Sequence, residues 1–407
     1  MNRIAVIGAG PVGSTTALAL VRAGFDVTLI EQEPTAPADP RAATIQPPTI
    51  EMLDAIGTGA SIIDQGLKAP VFQFRDRASN EILAEFDYGL LADETPFAFA
   101  LQCEQFKVAR TNIAAIEAAA PGSVRMATRV TGFAQDADGV SVEIAHDAGA
   151  ETLRVDYLIG CDGGRSPTRK ALDIAFDGFT YEERFLVLST PKDFAAAGYR
   201  ARNYVLDPAQ WCALFKVPDA GPPGLWRTVF PANAGTENGA APDPLSDDYT
   251  LAQIRGLDPG LGLGDIVHRN LYAVNQRVAA SFRKGRVFLA GDAAHVNNPL
   301  GGLGMNSGIH DGINLVAKLA AARDRPDRAE ALFSAYDAER RRIAVQYVQA
   351  QTIQNKKRLE ARTPEAREAA SADLRASSTD PARHRAWLMQ SSLIKGLREL
   401  ASTAEVA

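Results

Sequence analysis

The sequence predicts an α/β fold with three parts: a domain built on a parallel sheet, an inserted β-sheet domain and a C-terminal helical segment. Three observations predict it. The chain opens with a strand, a glycine-rich turn and a helix. Two later apolar strands end in Asp162-Gly163 and Gly291-Asp292. From Arg328 onward the pattern is helical and highly charged.

Length and composition describe a globular protein with room for a large core. The chain has 407 residues, 46% apolar and 23% charged, so two or three domains are expected. The net charge of −6 argues against nucleic acid as a partner. Three widely spaced cysteines suggest a reducing compartment, and the sequence shows neither a leader nor an apolar run long enough for a membrane span. We therefore expect a cytoplasmic protein with no membrane partner.

The first motif is a dinucleotide-binding fingerprint. The apolar strand 3–7 runs into Gly8-Ala9-Gly10-Pro11-Val12-Gly13, a helix follows, and a second strand ends at Glu31. In this pattern the glycines permit the tight turn, the approach of a pyrophosphate and close helix–strand packing. The helix N-terminus attracts phosphates, and the acid accepts hydrogen bonds from ribose hydroxyls. Because Glu31 would repel a 2′-phosphate, NAD or FAD is expected rather than NADP.

The remaining elements are predicted from periodicity and turn signals. Helices are expected over 49–56, 103–119, 328–362 and 380–400. Strands 125–133, 140–146 and 152–159 are expected to form a β-meander, and residues 71–88 and 181–279 carry further strand patterns.

Three strand ends now carry small or acidic residues, at Gly8–Gly13, at Asp162 and at Asp292. Ligands bind at the carboxyl ends of strands in open parallel sheets. Three such ends can converge on one extended ligand.

These motifs resemble those of the class A flavoprotein monooxygenases, the family of p-hydroxybenzoate hydroxylase. That family has a GxGxxG motif, a mid-chain DG motif and a late GD motif, which here are Gly8–Gly13, "CDGGRSPTRKAL" and "RVFLAGDAAH". The loop after the GD motif is similar too, in "PLGGLGMNSGIHDGINLVAKLA". The resemblance covers residues 3 to about 345. Leu303 departs from it, because many members carry glutamine there.

The resemblance implies FAD as cofactor and NADH or NADPH as co-substrate, with no metal. Glu31 would bind the adenosine ribose, Asp162 would help to bind both FAD and NAD(P)H, and Asp292 would contact the ribityl chain. The amide groups at the start of the helix near Met305 would face the flavin N1 and C2 carbonyl. The predicted cofactor residues are Gly8, Gly10, Pro11, Val12, Gly13, Glu31, Gln32, Arg41, Gln102, Asp162, Gly163, Gly291, Asp292, Pro299, Gly302, Leu303, Gly304, Met305 and Asn306.

The resemblance also implies a domain division. A discontinuous, Rossmann-like FAD-binding domain is expected over 1–70, 98–180 and 280–345. A substrate domain is expected over 71–97 and 181–279. The segment 346–407 is expected to cover the FAD domain or to form a homodimer contact.

The implied reaction is hydroxylation of an aromatic ring, phenolic or acidic, with O2 through a flavin C4a-hydroperoxide. A reductase or dehydrogenase on the same fold is the alternative, and a carrier without FAD is a third hypothesis. The predicted catalytic residues are His295, Arg200, Tyr204 and His268, and Arg202, Phe215 and Arg227 are further pocket candidates. The sequence leaves open whether His295 faces the cleft or packs the turn. His310 is expected to be structural.

Overall fold

The structure is a computed structural model that describes residues 2–36, 43–232 and 243–405. The predicted cofactor residue Arg41 lies outside the described residues. The strands of the described part are β1 Arg3–Ile7, β2 Asp26–Ile30, β3 Thr44–Ile45, β4 Leu67–Ala69, β5 Val71–Asp76, β6 Ile82–Asp87, β7 Ala100–Gln102, β8 Val124–Arg125, β9 Arg129–Gln135, β10 Val140–His146, β11 Gly149–Val155, β12 Tyr157–Gly160, β13 Phe176–Thr190, β14 Arg202–Leu206, β15 Cys212–Val217, β16 Leu225–Ala232, β17 His268–Ala279, β18 Arg283–Lys284, β19 Val287–Leu289 and β20 His295–Val296. The α-helices are α1 Pro11–Arg22, α2 Pro47–Ala55, α3 Gly59–Asp64, α4 Gln105–Ala119, α5 Pro167–Ala171, α6 Asp247–Arg255, α7 Gly304–Asp324, α8 Ala329–Ile343, α9 Ala350–Leu359, α10 Pro364–Thr379, α11 Pro381–Ser391 and α12 Ile394–Glu405.

A six-stranded sheet in the order β18-β19-β12-β1-β2-β8 forms the first layer. All of its pairs except β18-β19 are parallel. Its central strands are short apolar runs such as Ile4-Ala5-Val6, which are buried in a core that they share with α1 and with the apolar side chains of β10. The strands that precede the three sequence motifs, β1, β12 and β19, are adjacent in this sheet.

The predicted meander is wrong in its last strand. The run 152–159 divides at Asp156: β11 pairs with β10 in a separate three-stranded sheet, whereas β12 pairs with β1 and β19. Apolar periodicity alone does not separate two strands joined by a single residue, because both halves of the run carry strand residues.

An eight-stranded sheet, β20-β17-β13-β16-β15-β14-β5-β6, forms the second layer. Its long antiparallel pairs β13-β17 and β13-β16 form its centre. The strands come from residues 71–87, 176–279 and 295–296, so the sheet is assembled from distant parts of the chain.

The C-terminal helices pack against the eight-stranded sheet and against the glycine loop, residues 301–304, that leads into α7. The helix expected over 328–362 is α8 and α9 with a π-helical turn, Ala344–Gln349, between them. The ring of Trp387 on α11 stacks on Phe86 of β6, with centroids 4.8 Å apart. The segment thus packs on the eight-stranded sheet and, through Leu393 and Leu400, in the same apolar cluster as Leu303. The two expected roles, covering the FAD domain or forming a homodimer contact, stay predictions.

Helices α1 and α7 pack unusually closely, and two glycines permit it. A Cβ at Gly308 would lie 2.7 Å from Val12 Cγ2. A Cβ at Gly312 would lie 2.1 Å from Thr16 Oγ1. Because both distances are shorter than van der Waals contact, this face of α7 accepts α1 only while glycine occupies both positions.

We predict that Gly312→Ala lowers the free energy of unfolding by about 1–3 kcal/mol, the usual cost of overpacking. The double variant Gly312→Ala with Thr16→Ala, which removes the clashing hydroxyl, should recover part of that loss. Gly264→Ala, where an added Cβ meets nothing within 4 Å, is the matched control and should change stability by less than about 0.5 kcal/mol. Urea denaturation measures all three variants, and equal effects of G312A and G264A would contradict the packing argument.

Candidate active site

A large cleft lies where the carboxyl ends of β1, β12 and β19 meet one face of the eight-stranded sheet. Its volume is about 1080 Å³. Single small-molecule sites span roughly 300–1,000 Å³, so the cleft has room for a dinucleotide or for a cofactor with a second small ligand. All three sequence motifs contribute to its lining, through Gly10–Val12, Asp162–Gly163 and Asp292.

Glu31 holds the first glycine loop, Gly8–Gly13, from outside the cleft lining. Glu31 Oε2 accepts a hydrogen bond from the Ala9 amide at 2.7 Å, and Oε1 accepts one from the Glu33 amide at 3.1 Å. Helix α1 begins after Gly10, which has no side chain to cap it. The first-turn amides of α1 therefore remain available at the cleft. Glu31 is buried and Gln32 is exposed, and neither lies on the cleft lining.

The second loop is organised by Asp162. Its two carboxylate oxygens accept hydrogen bonds from Ser166 Oγ at 2.5 Å and from the Thr168 amide at 2.9 Å. Arg169, a few residues on, donates to Gly164 O at 2.9 Å and to Ala293 O at 2.8 Å. The guanidinium thus joins the second motif to the third.

The third loop is anchored by Asp311 of α7. One of its carboxylate oxygens accepts from the Gly291 amide at 3.1 Å and lies 2.9 Å from His295 Nε2. The other accepts from Arg340 Nε at 2.7 Å. Burial opposes ionisation, but the charge of Arg340 and the contact with His295 outweigh it, and the pKa of Asp311 lies below its usual range. This buried carboxylate fixes the turn that presents Asp292 to the cleft.

The loop that leads into α7, residues 299–304, forms another wall of the cleft. Gly302, Leu303, Gly304 and Met305 line the cleft with Pro299, and among the described residues no side chain caps α7. Asn306 faces away: it donates to Thr44 O at 2.8 Å and accepts from the Gln46 amide at 2.8 Å.

Gln102, another predicted cofactor residue, lies near this wall without lining it. Its Oε1 accepts from Thr44 Oγ1 at 3.1 Å, and it is completely buried in β7. Its Nε2 has no hydrogen-bond partner among the described residues.

The sheet wall carries three of the residues named as pocket candidates. Phe215, Arg227 and His268 lie in one row across the sheet, because Phe215 pairs with Arg227, Arg227 with Ser189, and Ser189 with His268. Residues opposite each other in a ladder project from the same face. All three line the cleft, together with the apolar residues Val187, Val217, Val229 and Val274.

Three of the four predicted catalytic residues do not line the cleft. Arg200 is largely exposed and pairs with Glu85 at 3.0 Å. The hydroxyl of Tyr204 is buried against Arg202 at 2.8 Å. His295, 2% exposed, stacks on Phe282 as well as pairing with Asp311, which is the packed alternative of the two that the sequence left open.

Several cleft residues escaped the sequence analysis. They follow the DG motif, begin α4 or lie on β17, and they are Gln105, Phe106, Arg165, Arg169, Lys170, Asn270, Tyr272 and Arg277. The basic run in "GGRSPTRK", directly after a strand-end aspartate, is the signal that could have revealed the three in that run.

The fold and the cleft define the class: a protein with a dinucleotide-binding unit at the ends of its parallel strands and a separate sheet across the same cleft. The chain belongs to the family described as "FAD binding domain", which matches residues 1–351. It is an FAD-dependent aromatic monooxygenase with NAD(P)H as co-substrate.

Relatives support this assignment. The chain is 30% identical to para-nitrophenol 4-monooxygenase of Pseudomonas sp. (strain WBC-3), over 100% of this chain and 99% of the relative. It is 32% identical to the 3-(3-hydroxy-phenyl)propionate/3-hydroxycinnamic acid hydroxylase of Mycolicibacterium smegmatis, over 84% of this chain but 58% of that relative. The crystal structure of p-nitrophenol 4-monooxygenase PnpA from Pseudomonas putida DLL-E4 superposes with a TM-score of 0.87, at 29% identity, covering 96% of this chain and 98% of that one. No helix of the described residues combines the length and apolarity needed to cross a bilayer.

The environment of His310 on α7 predicts a pH dependence. Its Nε2 lies 2.8 Å from Thr49 Oγ1. Burial and the charge of Arg340 lower the pKa of His310 to about 3, whereas an unfolded histidine titrates near 6.5. Because the unfolded state then binds more protons, stability is complete above about pH 6.5 and is lost as pH falls toward 3.

We expect His310→Gln to lose less stability than the wild type between pH 6.5 and pH 4, by about 3 kcal/mol. Urea denaturation at a series of pH values measures the difference. His146→Gln, at a partly exposed histidine, controls for the substitution itself. Parallel pH profiles of the wild type and H310Q would refute the assignment.

Proposed function

We propose that the protein hydroxylates a small aromatic ring that carries an acidic or strongly polar substituent, such as a phenol or an aromatic acid. The overall reaction consumes NAD(P)H, O2 and a proton, and yields the hydroxylated ring, NAD(P)+ and water. The observation that carries the substrate class is the sheet wall: apolar side chains suit the ring, and Arg227 and His268 beside them suit its polar substituent.

We further propose how the residues present hold FAD. The amides at the start of α1, with Gly10, Pro11 and Val12, bind the pyrophosphate, and Asp292 accepts hydrogen bonds from the ribityl chain. The amides at the start of α7 face the flavin ring. Two helix N-termini without side-chain caps at one cleft suit an anionic cofactor, because unpaired amides and the helix dipole both favour negative charge.

The chain's own contribution to the reaction is to bind, orient and exclude water. When bound, FAD supplies the redox chemistry, which is hydride acceptance from NAD(P)H and transfer of one oxygen atom of O2. The apolar side chains of β13, β15 and β16 shield the ring from water, and Arg227 orients it against the start of α7. Arg165 and Lys170, on the cleft lining beside Asp162, suit the phosphates of NAD(P)H.

The first substrate to test is p-nitrophenol, because the nitrophenol relative matches the chain over nearly its whole length. We expect purified protein to be yellow, and p-nitrophenol or a related phenol to stimulate NAD(P)H oxidation with one oxygen atom inserted per turnover. Oxygenation at an unsubstituted carbon yields the hydroxylated ring, whereas oxygenation at the nitro-bearing carbon releases nitrite and leaves a quinone. Product analysis by mass spectrometry decides the outcome. Stimulated oxidation without an oxygenated product would favour the reductase hypothesis, and a protein that stays colourless with excess FAD would overturn the proposal.

Arg227→Met should lower kcat/KM for an ionised substrate by about 10- to 100-fold, the equivalent of one charge-assisted hydrogen bond. Arg227→Lys should lose less, because it keeps the charge. A neutral analogue of the same ring, such as its methyl ether, should respond weakly to R227M. Arg184→Met, at an exposed arginine of β13 outside the cleft lining, is the control. Equal losses for ionised and neutral rings would exclude recognition of the substituent by Arg227.

We also propose a cytoplasmic location and a homodimer for this protein. Cys103, Cys161 and Cys212 are all free thiols, which supports a reducing, cytoplasmic environment. A homodimer stays a prediction that sedimentation of the purified enzyme tests.

A further inference from the structure

Arg202 of β14 is a buried cation that has only neutral partners. It is 2% exposed. Its guanidinium donates to Tyr88 Oη at 2.9 Å, to Tyr204 Oη at 2.8 Å and to Gly301 O at 3.2 Å. Burial acts against its charge, but the two phenol oxygens outweigh it and raise the pKa of Arg202 above its usual range. The side chain is therefore a full positive charge inside the protein.

A comparison with Arg340 shows how unusual this arrangement is. Arg340 is equally buried, and its Nε is 2.7 Å from a carboxylate oxygen of Asp311. No carboxylate of the described residues is bonded to Arg202. A buried charge without a counter-ion is expensive. An unpaired buried cation is suited to a negative charge that the protein itself does not supply.

The position of Arg202 indicates what that is. Its acceptor Gly301 opens the glycine loop, and the next residues, Gly302 to Met305, line the cleft at the start of α7. The Gly301 carbonyl also accepts from Gln46 Nε2 at 3.2 Å, and Tyr88 Oη donates to Gln46 Oε1 at 3.0 Å. The cation is thus fixed to the glycine loop by a closed ring of hydrogen bonds, and Arg202 itself does not line the cleft.

We propose that Arg202 sets the electrostatic potential at the flavin end of the cleft, so that the reduced, anionic flavin binds more tightly than the oxidised flavin. This inference rests on the proposed position of FAD. Arg202 acts through the glycine loop, as a positioning residue whose charge adds to the dipole of α7. Its effect is to raise the midpoint potential of the bound cofactor and so to favour its reduction by NAD(P)H.

The size of the effect follows from Coulomb's law. At an effective dielectric constant of about 20, unit charges roughly 10 Å apart interact strongly enough to change a binding constant by about tenfold. A tenfold preference for the reduced form corresponds to about 30 mV for a two-electron couple.

The test measures the midpoint potential of bound FAD and the dissociation constants of oxidised and reduced FAD in the holoenzyme. Arg202→Met should lower the potential by about 30 mV, and its loss of affinity should be about tenfold greater for reduced than for oxidised FAD. Arg202→Gln, which keeps a hydrogen-bond donor without the charge, should give the same shift. If R202M does not fold, R202Q is used for the measurement instead.

Three controls separate charge from structure. Arg202→Lys keeps the charge and should stay near the wild-type potential. Tyr88→Phe removes one hydrogen bond to the guanidinium but no charge, and it should also leave the potential near that of the wild type. Arg184→Met removes an exposed arginine from the same sheet and should shift nothing. If R202M and R202Q weaken both redox forms of FAD equally, with an unchanged potential, Arg202 is merely structural and the inference is overturned. A wild-type protein that binds no FAD would instead refute the proposed function.

Discussion

The close packing of α1 on α7 is the constraint on which the active site depends. Each helix begins without a side-chain cap, and each points its free amides into the same cleft. Two positive helix ends repel one another, so they come together only where packing holds them and an anionic ligand compensates them. The glycine face of α7, at Gly308 and Gly312, provides that packing. The same residues that let the helices touch thus bring both helix N-termini to the cleft in which we propose that FAD binds.

Buried charges then fix the loops between these helices. Asp311 accepts hydrogen bonds from the third motif and from α8 through Arg340, and Arg169 joins the second motif to the third. Asp311 holds the Gly291 amide, and Arg169 holds two backbone carbonyls. The loops are consequently preorganised, and a cofactor that binds there does not have to order them first.

The sequence was sufficient for the class of fold and for the motifs, because each motif depends on local geometry. A glycine turn between a strand and a helix, or an aspartate at a strand end, can be recognised from about ten neighbouring residues of the sequence. The substrate wall could not be predicted in the same way. Arg227 and His268 lie in one row of the sheet, on either side of Ser189, because of the register of three strands. Arg200 and Tyr204 have equally suitable chemistry, but they do not line the cleft. Likewise, the division of the run 152–159 follows from sheet pairing and not from local pattern.

The C-terminal helices pack around Leu303, the position at which many family members carry glutamine. Leu303 is completely buried in a cluster with Ile343, Tyr347, Val348, Leu393 and Leu400, so the glycine loop is tied to α8, the π-helical turn and α12. A π-helical turn widens the helix and re-aims the side chains around it. Here, Tyr347 and Val348 of that turn belong to the same apolar cluster as Leu303, and Asn355 of α9 donates to Leu300 O at 3.1 Å. A glutamine at position 303 would place an amide in this apolar cluster at the cost of an unpaired polar group. The apolar side chain and the helical segment therefore belong together, and the segment supports the cleft from outside although residues 352–407 lie beyond the matched family region.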